Sequence, residues 1–347
     1  MSKMEQIERF LAYSRSPVQL VKHWDDVKEK PEYPLVVQTK LDGVYSLIVK
    51  EHMNVQVFTR TGKRMYKEVL TIEDEVLSTL SDGVFIAELV SEGLTLEELS
   101  GMVNPNRKEA WTPEQVDKAY GCIWAFHDYI THDELLFGIS PAKYIQRYDT
   151  MKSKLPRGAY TISNEYVHSY DDIKLIFDVQ VRLGGEGVVI KDPYACWLAG
   201  HKGKNAMKLV REYRQDLLCV DVQWGKGKRT GQVGALVFRF LDNTFKADLG
   251  AGWDDDARKH LTRQYLDDAS TVVGKIWELK GLQPSSTGRA IRLPKVVRIR
   301  EDKSISDDEG NVIKQSGMLQ YVEPDGLIHH QLNNCATVTG RLSGSKP

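Results

Sequence analysis

Short β-type runs separated by turn residues recur along the chain, and what lies between them changes near residue 214. Upstream, "VVQTK", "VYSLIV", "VQVFTR", "VFIAELV" and "GVVIK" are rich in Val, Ile and aromatics, a composition that suits a pleated, half-buried surface. "TIEDEVLSTL" and "DDIKLIFDVQVRL" carry apolar residues at helical spacing instead, and the second runs into Gly184 and Gly185, a helix stop. Downstream, "LLCVDVQW", "GALVFRFL", "TFKADLG", "VGKIWELKGL" and "KVVRIR" read as strands, with one helical stretch at "DDDARKHLTRQYL". That pattern suits a small barrel of the oligonucleotide-binding (OB) kind, with a sandwich fragment as the alternative. The expected class is α+β: mixed and antiparallel sheets with helices over residues 1–213, a small β-barrel over 214–308, and a flexible tail over 309–347.

A length of 347 residues allows two such cores. "MSKMEQIERFLAYS" opens the chain as a helix, because Ser2 with Glu5 makes a capping box and Ile7, Phe10 and Leu11 supply an apolar face. It lacks the apolar run of a secretion signal, and no stretch reaches membrane-spanning length, so the expected location is the cytoplasm. Cys122, Cys196, Cys219 and Cys335 show neither zinc-ligand spacing nor a disulfide framework, and reduced thiols are expected. The net charge of −1 does not advertise a polyanionic partner; local basic clusters can bind phosphates, although such a run is more often a solvated face. Lys202, Lys204, Lys208, Arg211 and Arg214 crowd one segment, and "WGKGKRTG" adds Lys226, Lys228 and Arg229. Neither a dinucleotide fingerprint nor a phosphate-binding loop ending in Gly-Lys-Ser/Thr is present.

In "VVQTKLDGVYSLIV", Lys40 stands where one β-run ends, followed by Asp42 and Gly43. Asp-Gly is a strong hairpin signal, so the lysine could simply solvate a turn. The other reading is an amine nucleophile held by strand ends. Further chemical residues sit at similar places. Arg60 precedes a Thr-Gly turn, and Glu88 lies inside "FIAELV", where a lone carboxylate is costly unless paired or metal-bound. Glu186 precedes "GVVIK" and Lys191 ends it; Lys208 follows in "NAMKLVR", then Arg298, Arg300, Asp302 and Lys303 in "KVVRIREDK".

Taken in order over residues 30–305, "KLDG", "TRTG", "AELV", "EGVVIK", "MKLV" and "RIREDK" resemble the nucleotidyltransferase motifs of ATP-dependent DNA ligases, most nearly the small phage type. The resemblance implies an ATP-grasp-like nucleotidyltransferase domain followed by an OB domain, and sealing of 5′-phosphate/3′-hydroxyl nicks in duplex DNA through a lysyl-AMP. It implies Lys40 as the AMP acceptor, with Asp42 near the reacting 3′ end and Lys208 as a catalytic companion. Thr39, Arg60, Glu88, His127, Lys191, Lys208, Arg298 and Lys303 would surround the nucleotide, Glu88 on the ribose. Glu186 and Glu88 would hold Mg²⁺, with Mn²⁺ as substitute, and Arg60, Lys226, Lys228 and Arg229 would contact DNA. An attacking amine must be neutral, whereas free lysine is protonated below about pH 10.4. Lys191, Lys208 and a metal are the charges that would favour the neutral form, helped by a dry site. The cluster from Arg298 to Lys303 would orient the pyrophosphate of ATP from a mobile barrel hinged near residues 211–215.

Three departures stand out. The family's arginine two residues after the first-motif glycine is Tyr45 here. The aromatic that stacks on adenine is replaced by "WAFHDYI", which leaves Phe126 and His127 as alternatives on opposite strand faces, His127 being favoured. The second lysine of a Lys-x-Lys pair is Val210, with Lys204 or Arg211 as substitutes. The tail string "TVTGRLS" resembles the primer-contacting segment of family A DNA polymerases without their catalytic carboxylates. Expected partners are ATP, nicked duplex DNA and replication proteins, with the protein a monomer that binds no membrane. The other function classes left open are an mRNA-capping-type guanylyltransferase, an RNA ligase and a silent nick-binding module.

Overall fold

Ser2 caps the first helix, Lys3–Tyr13, through the expected reciprocal bonds with Glu5, and Met4, Ile7 and Leu11 are its buried face. Thr95, Thr112 and Thr131 open three later helices in the same way, with Glu98, Gln115 and Glu134 answering. The computed structural model describes residues 2–249, 253–281 and 290–307, with two short strands beyond them. The chain divides into two compact units, Met1–Arg211 and Glu212–Pro347.

The strands of the first unit are β1 (Leu20–His23), β2 (Leu35–Thr39), β3 (Val44–Glu51), β4 (Asn54–Thr59), β5 (Gly83–Ser91) and β6 (Cys122–Ile130). They continue with β7 (Ile139–Ser140), β8 (Glu165–Val167), β9 (Gly187–Lys191), β10 (Trp197–Leu198) and β11 (Lys202–Val210). One sheet runs β1-β11-β9-β2-β8 and another β4-β3-β5-β6, while β7 and β10 pair alone. Each strand of the second sheet alternates between two cores. Phe85, Ala87 and Leu89 face the cluster containing Trp124 and Phe126. Val84 and Ile86 face the cluster built on the first helix. In the first sheet Leu35, Val37, Val188, Ile190 and Met207 pack under the helix Tyr170–Arg182. That helix stops at Gly184, whose φ of 87° is the left-handed value its position invites.

The second unit carries β12 (Tyr213–Trp224), β13 (Val233–Phe240), β14 (Asn243–Asp248), β15 (Ile276–Gly281) and β16 (Lys295–Ile299). They close into a barrel in the order β12-β13-β14-β16-β15, with the helix Asp255–Asp267 between β14 and β15 in sequence. The class is α+β, with the barrel rather than the sandwich. Of the tail expected over 309–347, β17 (Gln331–Asn333) and β18 (Ser343–Lys346) form an antiparallel pair. The rest of that expectation lies outside the described residues. Among the described residues no helix is long and apolar enough to cross a membrane, and Cys122, Cys196 and Cys219 are free thiols.

Candidate active site

Lys40 leaves the end of β2 with its backbone N–H donated to the carbonyl of Gly187, 2.9 Å away. The next strand does not fold back on β2: β3 pairs with β4 and β5, in the other sheet. "KLDG" is therefore a crossing between sheets, and the hairpin reading fails. Gly43 is required by the tightness of that crossing, since a Cβ would lie 2.6 Å from the carbonyl oxygen of Leu89. Lys40 Nζ forms an ion pair with Glu186 Oε2. The side chains are 24% and 7% exposed, so the amine reaches solvent while its carboxylate partner is buried. Gly187 makes that burial possible. At φ +139°, it lies so close to β11 that a Cβ would stand 2.2 Å from the Leu209 carbonyl oxygen.

Register sorts the remaining residues of this sheet by face. Val36 pairs with Lys191 and Lys191 with Ala206, while Gln38 pairs with Val189 and Val189 with Lys208. Gln38, Lys191 and Lys208 therefore share one face. Thr39 pairs with Val188 and shares the opposite face, with the core beneath Tyr170–Arg182. The side chain of Thr39 does not join Lys191 and Lys208, because one residue along a strand reverses direction.

Across from them, Tyr45, Glu88 and Ala125 form one row of the second sheet. The β5–β6 register shifts between Ile86, paired with Asp128, and Ala87, paired with Phe126, so His127 is the extra residue of a bulge. Phe126 is fully buried and edge-on to Phe85 at 5.9 Å, which removes it from any open site. His127 turns the other way. Lys191 Nζ lies 3.3 Å from both its Nδ1 and its carbonyl oxygen, joining the two sheets, and stands 4.2 Å over the Tyr144 ring. Asp128, next along, is buried in a two-bond pair with Arg147 at 2.9 and 3.0 Å.

The electrostatics follow from enclosure. Burial raises Glu88 to about 7, against the charges of Lys40 and Arg60 and with those of Glu186 and Asp42. Burial lowers Lys191 to about 8, and burial with the Lys191 charge lowers His127 to about 3. The imidazole is thus neutral at physiological pH, with Nδ1 turned to an ammonium. Burial pushes Asp128 upward, but Arg147 outweighs it and holds the carboxylate ionised. These groups set two carboxylates among several cations close enough to act on one another, the mixture that binds phosphate and a hard cation together.

Residues 18–209 match the family described as ATP dependent DNA ligase domain. The chain belongs to that family. A DNA ligase of Methanopyrus kandleri is 30% identical over 152 residues, covering 38% of this chain and 27% of that protein. A DNA ligase of Natronomonas pharaonis is 23% identical over 329 residues, covering 87% and 56%. This ligase-family chain thus spans 27% and 56% of the lengths of those two relatives. A solved structure described as "DNA binding with a minimal scaffold: Structure-function analysis of Lig E DNA ligases" aligns over 82% of this chain and 98% of its own, with TM-score 0.62 and 16% identity. That likeness is one of fold.

In the ligase domain the structure gathers Lys40, Asp42, Arg60, Glu88 and Glu186 by charge, and Lys191, His127 and Lys208 by contact or face. Arg60 is exposed in a turn held by Gly62 N–H to the Thr59 carbonyl at 2.9 Å. Val210 is buried, and Lys204 pairs with Glu29 at 3.7 Å. Arg298 and Lys303 lie in the second unit, where Arg298 bonds Glu278 at 2.9 Å and Lys303 pairs with Asp216 and Asp307. Lys226 and Lys228 are exposed beside the turn that carries Arg229, which pairs with Asp255. The sequence reading missed the support beneath His127. Tyr144 donates to its carbonyl at 3.3 Å and to Asn164 at 3.0 Å, and Gln38 donates to the same Asn164 oxygen at 2.9 Å. Tyr144, Arg147, Tyr148 and Met151 are the buried residues of the helix Tyr144–Lys154, a three-and-four spacing that could have revealed it.

Proposed function

We propose that the chain is an ATP-dependent DNA ligase that seals 5′-phosphate/3′-hydroxyl nicks in duplex DNA, with Lys40 as the adenylate carrier. The observation that supports this most directly is the pairing of the Lys40 amine with a buried Glu186 beside Glu88. In the first step neutral Lys40 Nζ bonds the α-phosphorus of ATP and gives up one proton to solvent, the bond to the bridging oxygen breaks, and pyrophosphate leaves with that electron pair. Lys191 and Lys208 share the face on which the phosphates would gather negative charge, and stabilise it there. Arg298 and Lys303 would handle the pyrophosphate. In the second step a 5′-phosphate oxygen attacks the adenylate phosphorus, and Lys40 leaves and regains a proton. In the third, the 3′-hydroxyl oxygen attacks the 5′-phosphorus, AMP departs, and the hydroxyl proton is lost to solvent.

Glu186 and Glu88 would hold Mg²⁺, for which Mn²⁺ can stand in, and the ion would offset charge on the transferring phosphoryl group. Among the described residues no three Asp, Glu, His or Cys side chains form a ready cage. This suits a cation that takes most of its shell from phosphate oxygens and water. His127 would stack on adenine, Glu88 receive the ribose, Arg60 hold the 5′-phosphate, and Asp42 lie near the 3′ end. Lys226, Lys228 and Arg229 would track the duplex backbone. The reading takes the enzyme as a cytoplasmic monomer that meets replication proteins at the nick.

Intact-mass measurement after incubation with ATP and Mg²⁺ tests the proposal: a gain of one adenylate is expected for the wild type and none for Lys40→Ala. Labelling by GTP instead of ATP would turn the reading to a guanylyltransferase. Adenylylation without nick sealing would remove DNA joining from it.

A further inference from the structure

Tyr45 is the residue that the adenylate chemistry above leaves without a task. It stands directly opposite Glu88 across the β3–β5 ladder, so both side chains rise from the same face of the sheet. On the far side of Glu88 the facing residue is Ala125, too small to fill the row. The Tyr45 ring meets His127 instead, 6.2 Å between centroids at 61°. Glu88 thus has Tyr45 beside it in the row, and Tyr45 packs partly against the core beneath the first helix. Its hydroxyl has no hydrogen-bond partner among the described residues, although the charges of Asp128, Glu88 and Arg60 all reach it. A phenylalanine would pack equally well there. What the oxygen adds is a hydroxyl donor in the same row as a carboxylate acceptor.

We infer that Tyr45 is a specificity-determining residue for the sugar of the nucleotide, its hydroxyl and the Glu88 carboxylate taking the two adjacent hydroxyls of a ribose. The two side chains start from directly paired positions, where Cβ atoms lie about 5 Å apart, and two groups converging from that separation can meet a vicinal diol. A sugar lacking one hydroxyl leaves one of them unpaired, which is the kind of loss a site discriminates strongly. This rests on the proposed self-adenylylation of Lys40, and deepens it by naming a second partner for the ribose beside Glu88.

The test compares wild type with Tyr45→Phe in self-adenylylation by ATP, 2′-deoxyATP and 3′-deoxyATP, read as kcat/KM by intact mass. Wild type should prefer ATP over both deoxy analogues. Tyr45→Phe should lose roughly tenfold on ATP, and treat ATP and one of the two analogues alike. The analogue that becomes equivalent identifies the hydroxyl that Tyr45 holds. Unchanged ATP-to-analogue ratios for both sugars, in a variant that still adenylylates, overturn the inference. A wild type that takes no adenylate from ATP sinks the proposed function instead. Tyr45→Leu, which removes ring and hydroxyl together, should lose sugar discrimination too; retained discrimination there equally overturns the inference.

Discussion

Replacing Lys191 by methionine should change stability in opposite directions at neutral and alkaline pH. Lys191 is 7% exposed, and its folded pKa of about 8 lies below the ordinary lysine value of 10.5. A folded pKa below the unfolded one means that the folded state binds fewer protons between those values, so the Lys191 contribution to stability rises with pH across that window. At pH 7 both states are protonated, and confining the charge costs about 3 kcal/mol; at pH 10 the folded lysine is neutral and the cost falls below about 1 kcal/mol. Methionine removes this cost at every pH. It also forfeits two contacts of 3.3 Å to His127, together about 1–2 kcal/mol, which a neutral amine still makes. Lys191→Met should therefore be more stable than wild type at pH 7 by about 1–2 kcal/mol, and no more stable, or slightly less, at pH 10. His127 titrates far below this range and does not blur the comparison. Urea unfolding followed by tryptophan fluorescence, fitted unit by unit, measures the difference. A stability difference that stays flat from pH 7 to pH 10 would refute the reasoning. Adenylylation should fall in the same variant, since the strained charge would be relieved by phosphate rather than by solvent.

Other consequences can be checked separately. Arg147→Met strands the buried Asp128 carboxylate and should cost about 3–5 kcal/mol in the first unit, measured by chemical unfolding. Gly187→Ala forces a side chain into the Leu209 carbonyl at an unfavourable φ, and a loss of about 2–4 kcal/mol with weakened adenylylation is expected. Lys226→Ala and Lys228→Ala should weaken nicked-duplex binding evenly across sequences, each lowering the salt slope by about one in a titration series.

Much of the site was legible because its signals are local. Lys40 with Gly43, Glu186 with Gly187, and the capping box of Ser2 and Glu5 depend on neighbours within a few residues, and short-range chemistry dictates them. The strands over "VFIAELV" and "GVVIK" declared themselves through β-branched and aromatic content. "KGKNAMKLV" did not, being rich in lysine and glycine, yet β11 lies between β1 and β9 because the buried side chains of Ala206 and Met207 complete the sheet. Turn chemistry alone favoured a hairpin at Asp42-Gly43, and the pairing of β3 with β4 and β5 overruled it.

By itself the sequence determined which chemical groups the protein owns, where its β-branched strands and capped first helix lie, and that a lysine sits at a strand end. The tertiary structure alone decided which of those groups meet. Phe126 and His127 differ by one position, and a single bulge sends one to the core and the other to Lys191. Thr39 and Lys40 differ by one position too, yet Thr39 pairs with Val188 within β2 while Lys40, just past its end, reaches Glu186. Strand register and sheet membership are set by contacts between residues far apart in the chain, whose energies no local window contains. So also are the pKa values of Glu88, His127 and Lys191, because enclosure is a property of the folded whole.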